Sequence, residues 1–184
     1  MLISKEYEEE QRRLHKERDD YGASYMAEQH APIVSAICEK LKIKELLDYG
    51  CGKGKLKDHL TVNHKMKIQM YDPGIEEFSG LPEPSEFVVS IDVLEHIEED
   101  SLEDVLDHLE QVTKDVIFVT IHMHPAAKVL SDGRNAHLIQ RPMIWWLNKF
   151  ADRFDLQSVQ LVNPSTFYIV ATTIPKDDLL GVGS

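Results

Sequence analysis

Three aspartates, two histidines and a run of glycines carry the chemistry this chain can offer. In Glu45-Leu46-Leu47-Asp48-Tyr49-Gly50-Cys51-Gly52-Lys53-Gly54-Lys55 an apolar run ends in an acid, three alternating glycines follow, and a helix-forming segment begins. Glycines accept positive φ and let a ligand come close to the backbone. A helix starting there points its free N–H groups at whatever the loop holds. Asp72 stands 22 residues beyond Gly50, at the end of a second apolar stretch. That is near the spacing of about 20 residues at which an acid holds a ribose, and a carboxylate can accept from both ribose hydroxyls. His122 and His137 add groups that exchange protons near neutral pH.

The glycine spacing separates two ligand classes. A dinucleotide loop needs glycines at relative positions one, three and six. Counted from Gly50, the sixth position is Lys55, and the third glycine is Gly54. This departure weakens an NAD-linked dehydrogenase. The stretch instead resembles the loop of class I S-adenosylmethionine (SAM) methyltransferases. A second stretch supports the same resemblance. Asp92-Val93-Leu94-Glu95-His96-Ile97 follows the apolar run Glu86–Ile91, and it is similar to the family's segment after the fourth strand, where Asp-x-Leu-Glu-His is common. The resemblance covers roughly Leu46 to Ile121. It implies SAM as cofactor, S-adenosylhomocysteine (SAH) as product and direct methyl transfer. It also implies cofactor binding by Asp48, Gly50, Cys51, Gly52, Asp72, Pro73, Asp92 and Val93. Asp48 would lie near the ammonium end, and Asp92 with its neighbours would flank the methionine and sulfonium. A thiol at Cys51 reads as a small residue in a tight turn.

No residue is catalytic throughout that family, so a base must be argued from its place. His122 directly follows the fifth strand, and His137 sits in the segment beyond it, facing the same edge of the sheet. These two are the catalytic candidates. A metal held by Glu95, His96, His122, His124 and His137 is the alternative. The chain lacks a compact ligand pair of the kind found on zinc-binding helices, so no metal is expected, and His96 reads as a capping or packing residue.

The elements that must position these groups follow from periodicity and turn signals. Strands are expected at 45–49, 66–71, 86–91, 116–121, 156–162 and 166–173, with helices at 54–60 and 101–113 and another opened by Pro142. Ser101 is expected to cap its helix. Only Asn163-Pro164-Ser165 separates the last two strands, which forces them antiparallel. Gly74, Gly80, Pro82 and Pro84 leave room for a loop where the family has a third strand. The fold class is α/β: a doubly wound, mostly parallel sheet with an antiparallel last strand and strand three short or missing. Residues 1–44 form an N-terminal helical segment that can act as a lid, 45–175 the SAM-binding domain, and 176–184 a loose tail. The charged stretch 4–20 has sparse apolar positions, Tyr7 and Leu14, and reads as an exposed, frayed helix. Tyr21 and Tyr25 are lid candidates, and Pro32 marks a helix start.

Composition narrows the partners. A formal net charge of −12 with few clustered Lys and Arg argues against a general grip on nucleic-acid backbone, so an RNA methyltransferase is the less favoured alternative. No run of roughly 18 apolar residues exists, so no membrane span is expected. The charged N-terminus carries no apolar signal core, and two cysteines form no disulfide framework. Both features fit a reducing cytoplasm. The acceptor is a small molecule or a protein side chain. A catalytically inactive SAM-binding scaffold is a further alternative, motivated by the short 74–85 segment and the lack of an obvious base.

Overall fold

A six-stranded sheet positions everything else. The structure, a computed structural model, describes residues 1–19, 21, 22 and 25–174; the expected tail at 176–184 lies outside them. The elements in chain order are α1 (Lys5–Glu17), α2 (Tyr25–Leu41), β1 (Glu45–Tyr49), α3 (Leu56–His59), β2 (Lys67–Tyr71), β3 (Ser85–Ile91), α4 (Leu102–Val112), β4 (Thr113–His122), α5 (Met143–Ala151), β5 (Phe154–Asn163) and β6 (Thr166–Thr173). The strand order is β2-β1-β3-β4-β6-β5. β1 pairs in parallel with β2 and β3, and β3 with β4, while β6 runs antiparallel to both β4 and β5. Where a third strand would lie, Glu76–Phe78 make only a short 3-10 turn. The expected fold class is borne out.

Alternation along the strands explains the two layers of core. Leu47, Val88, Ile117 and Val119 face one side, where they meet Leu102, Val105, Leu106 and Leu109 of α4 and Trp146 and Phe150 of α5. Leu46, Phe87, Val89 and Phe118 face the other, against Val34 and Cys38 of α2. A strand buried on both faces needs this near-continuous apolar run, and side chains at successive positions point to opposite sides.

Four expectations need correction. Pro32 lies inside α2, not at its start. Pro32 and Glu28, the residue four positions before it whose carbonyl a proline cannot serve, both lie on the exposed side of the helix. The crossover helix expected at 54–60 shrinks to the single turn of α3, because Gly54 at φ 65 cannot continue a right-handed helix. Ser101 makes no side-chain cap to α4, since a 3-10 turn at Glu99–Ser101 already leads into the helix. Finally, α1 is not a frayed, exposed helix. Ser4 caps it by accepting from the Tyr7 N–H, and Tyr7 and Leu14, one helical face seven residues apart, are buried against Leu130 and Ala136.

Candidate functional site

Parallel strands β2, β1, β3 and β4 end at the same edge of the sheet. The chain winds one way from β1 to β2 and the other way from β1 to β3. In an open α/β sheet, the crevice at such a reversal is where ligands bind. A cleft of about 610 Å³ lies there, and all ten expected site residues line it: Asp48, Gly50, Cys51, Gly52, Asp72, Pro73, Asp92, Val93, His122 and His137.

The glycine loop has the shape expected of a cradle. Gly50 at φ 76 follows β1, and both its N–H and that of Cys51 donate to the Tyr71 carbonyl, at 2.7 and 3.0 Å. A Cβ at Gly50 would lie 2.4 Å from Cγ2 of Val93. Gly52, at φ 51, passes so close to Gly22 that a Cβ would lie 2.5 Å from the Gly22 carbonyl oxygen. The Lys53 N–H donates to that same carbonyl at 3.0 Å. Hydrogen at both positions is therefore a condition of the loop's path. Asp72 ties the loop to the end of β2. Its Oδ2 accepts from the Gly52 N–H and its Oδ1 from the Gly74 N–H, each at 2.8 Å. A carboxylate has about four acceptor positions, so each oxygen keeps one for a ligand hydroxyl. The Cys51 thiol is buried and bonds to the Gly52 carbonyl at 3.5 Å, and burial pushes its pKa up. It is a packing residue.

Asp48 is the electrostatic centre of this end. It is 6% exposed, and burial first, then the neighbouring Asp72 charge, raise its pKa from 3.8 to about 7. A carboxyl held in this way accommodates a ligand cation well, because a positive group beside it restores the ionised form.

The other end is rich in histidine. His122, at the end of β4, is oriented by Thr166 Oγ1, 2.9 Å from its Nδ1, and burial lowers its pKa. Its backbone N–H donates at 2.5 Å to Oε1 of the fully buried Glu95, whose Oε2 has no partner among the described residues; burial first, then Asp92, raise the Glu95 pKa well above the usual carboxylate range. His137 packs against both His122 and His96, with ring centres 5.0 and 4.7 Å apart. His96 is half-buried, and desolvation of its ring is the main reason its pKa falls to about 4. His124 turns away to Ser165, at 3.0 Å. Asp92 has φ 61, a conformation rare outside glycine, and its N–H donates to Thr120 Oγ1 at 3.0 Å.

Several lining residues were not singled out from the sequence. Tyr7, Gln11 and His15 come from α1, and Pro125–Lys128 from the loop after β4. Tyr7 donates its hydroxyl to the His96 carbonyl at 2.8 Å, and Tyr21 donates to Gln11 Oε1 at 2.8 Å. The seven-residue spacing of Tyr7 and Leu14 was the signal that α1 has a buried face. Tyr21 and Tyr25 both line the cleft, and Tyr25 is largely exposed.

A glycine-loop cleft at the switch point of a parallel sheet, closed by a reversed last strand, defines the class I methyltransferase fold. The chain belongs to the family described as "Methyltransferase domain", which it matches over residues 17–167. The SAM-dependent methyltransferase expected from the sequence is the class this membership supports. No curated protein matches the chain in sequence. Among solved structures, 1,6-didemethyltoxoflavin-N1-methyltransferase from Burkholderia thailandensis, with bound 1,6-didemethyltoxoflavin and SAH, is 14% identical. That match has a TM-score of 0.67 and covers 92% of this chain and 90% of that one. The DhpI–SAH complex is 16% identical with a TM-score of 0.61, covering 92% and 98%. TnmH is 15% identical with a TM-score of 0.58, covering 80% of this chain and 55% of that one, so this chain spans about half of TnmH. At these identities the likeness is one of fold, and two of the three structures hold SAH in it. Among the described residues, no helix is long and apolar enough to cross a membrane.

Proposed function

We propose that this chain transfers a methyl group from SAM to a small-molecule acceptor in the cleft above β1 and β3. The observation that carries the reading is the convergence of Asp48, Asp72 and the glycine loop on one crevice. Two features of the cleft fit the donor. Asp48 is a buried carboxyl with no cationic side chain bonded to it among the described residues, and the loop has space only where side chains are missing. SAM supplies an already activated methyl group when bound, so the chain's own tasks are to hold, orient, exclude water and remove a proton.

Asp48 would face the ammonium group, Asp72 the ribose hydroxyls, and Gly50–Gly52 with Pro73 and Val93 the walls around them. Asp92 stands between this end and the histidines. His122, fixed by Thr166, and His137 are the groups that would take a proton from the acceptor. Residues 1–44 act as the cover: α1 lays Tyr7, Gln11 and His15 over the cleft, and Gly22 meets the glycine loop. A covered cleft favours a small acceptor over an extended polymer. The bound 1,6-didemethyltoxoflavin of the Burkholderia thailandensis neighbour gives the same support, as does the acidic net charge. Isothermal calorimetry with SAM and SAH tests the reading directly. Saturable binding of one molecule per chain is expected, and heat no different from buffer at about 1 mM of either would remove it.

A further inference from the structure

Asp92, His96 and His137 bring one carboxylate and two imidazoles into the histidine end of the cleft. Their potential ligand atoms all lie within 4.8 Å of one another. Different segments deliver them: the end of β3, the 3-10 turn Leu94–His96, and the segment between β4 and α5. Both rings are held in the same way. His96 Nδ1 lies 2.8 Å from the Ala136 carbonyl oxygen, and His137 Nδ1 lies 2.6 Å from that of His124. A carbonyl can only accept, so Nδ1 carries a proton in each ring, and in the neutral ring Nε2 presents a lone pair. Metal-binding histidines are held this way, with one ring N–H on a carbonyl and the other nitrogen free.

The three groups are also mismatched as hydrogen-bonding partners. Two lone-pair nitrogens and a carboxylate are all acceptors, and no donor among the described residues reaches the Asp92 side chain or either Nε2. The positive φ of Asp92 adds strain, of a kind that persists where its surroundings hold a functional group in place. A cation satisfies all three at once. Glu95 stays out of the set, because it is not among the groups whose ligand atoms meet within 4.8 Å.

We propose that Asp92, His96 and His137 bind one divalent first-row transition ion, which receives an oxygen of the methyl acceptor. Two imidazoles with one carboxylate suit Mn²⁺, Fe²⁺, Co²⁺ or Zn²⁺ and are a poor site for Mg²⁺ or Ca²⁺, which favour all-oxygen ligands. Three protein ligands leave further positions open, and all three residues line the cleft. The acceptor is thereby an oxygen nucleophile, a conclusion that rests on the methyl-transfer reading. Its hydroxyl releases a proton to His122, since His137 is then held by the ion; the oxygen forms a new bond to the methyl carbon of SAM, and the carbon–sulfur bond breaks with its electron pair staying on sulfur.

The test uses the full chain, stripped with a chelator and titrated with Co²⁺ or Mn²⁺ alone. One ion per chain is expected, with a Co²⁺ visible absorption band that excess Mg²⁺ does not remove. Loss of a group that merely orients a ligand weakens metal binding by about 10–100-fold, so Asp92→Asn and His137→Gln should each weaken it by at least that much. His59→Gln, at an exposed position, should leave it unchanged. No binding at about 1 mM ion, or equal binding by the variants, overturns the proposal. The wild-type protein gives a check that does not depend on variants folding. Trace Mn²⁺ should broaden the imidazole proton resonances of His96 and His137 well before those of His59 and His64, and uniform broadening overturns the site. SAH calorimetry on the same stripped protein separates the two ideas. SAH binding in a chain that takes up no ion removes the metal and leaves methyl transfer standing. Ion uptake at the three residues in a chain that does not bind SAH keeps the site and removes methyl transfer.

Discussion

The two ends of the cleft are built by different means. The donor end comes from residues 48–74, and its main contacts are backbone groups: the Gly50 and Cys51 N–H on the Tyr71 carbonyl, and the Gly52 and Gly74 N–H on Asp72. The histidine end draws on α1, the turn after β3, the end of β4 and the segment leading to α5, and it works through side chains. A backbone cradle can be kept while most side chains around it change. A side-chain cluster assembled from distant segments can be re-tuned by altering any one of them. The first arrangement suits a ligand shared by many enzymes, and the second suits an acceptor particular to one.

Substitutions that strike one end and spare the other would sharpen this division. The largest effect is expected from Gly52→Ala. A side chain at φ 51 costs about 1–2 kcal/mol, and its Cβ at 2.5 Å from the Gly22 carbonyl forces the loop to move. At about 1.4 kcal/mol per tenfold, that strain alone should lower SAH affinity by about 5–30-fold in calorimetry, and displacement of the loop should lower it further. Unchanged affinity would mean that the loop is not the donor cradle. His122→Gln is the counterpart. Losing a general base costs about 100-fold or more in turnover, whereas SAH affinity should stay within about twofold of wild type. If both quantities fell together, the two ends would be one unit and the division would be wrong.

The same contrast sets what could be read from the amino-acid order. Asp48, Asp72 and Asp92 were legible because each closes an apolar run, and strand ends meet at one edge of any parallel sheet. The missing third strand was legible because Gly74, Gly80, Pro82 and Pro84 leave no room for one. The roles of Tyr7 and His96 were not. Each depends on the segment 123–142 folding back across the cleft, and nothing local to either residue encodes that path. Pro32 misled for a related reason: a proline inside a helix is tolerated when its face of the helix is solvated, which depends on how α2 sits on the sheet.

Asp48 allows a quantitative probe of the donor end through pH. Its carboxyl titrates near 3.8 in the unfolded chain and near about 7 in the fold. Between those values the folded protein holds a proton that the unfolded chain has released, so this group's contribution to stability is present at low pH and is lost as pH rises to about 7. A ligand ammonium needs the ionised form. SAM affinity should therefore increase by roughly tenfold per pH unit below 7 and level off above it. Asp48→Asn should flatten that profile, weaken binding at pH 8, and make the empty protein more stable at pH 8 by about 1–2 kcal/mol, since the amide must still find partners. A profile in the variant as steep as in the wild type would assign the titration to another group.

The smallest effect tests whether α1 belongs to the histidine end or merely rests on it. Tyr7→Phe keeps the buried ring and removes only the hydroxyl that donates to the His96 carbonyl. A bond of this kind is worth about 1 kcal/mol, or roughly 2–4 °C in the melting temperature of a chain of this size. The carbonyl it leaves belongs to the residue that also donates to Ala136, and Ala136 packs against Tyr7 and Leu14. Helix, turn and loop thus share one small network. If α1 covers the bound donor, SAH should stabilise wild type more than Tyr7→Phe, because part of the binding energy in the variant goes into ordering a looser helix. Equal stabilisation of both by SAH, with the melting point of the empty variant still lowered, would make α1 a fixed wall of the acceptor end and not a cover that responds to the donor.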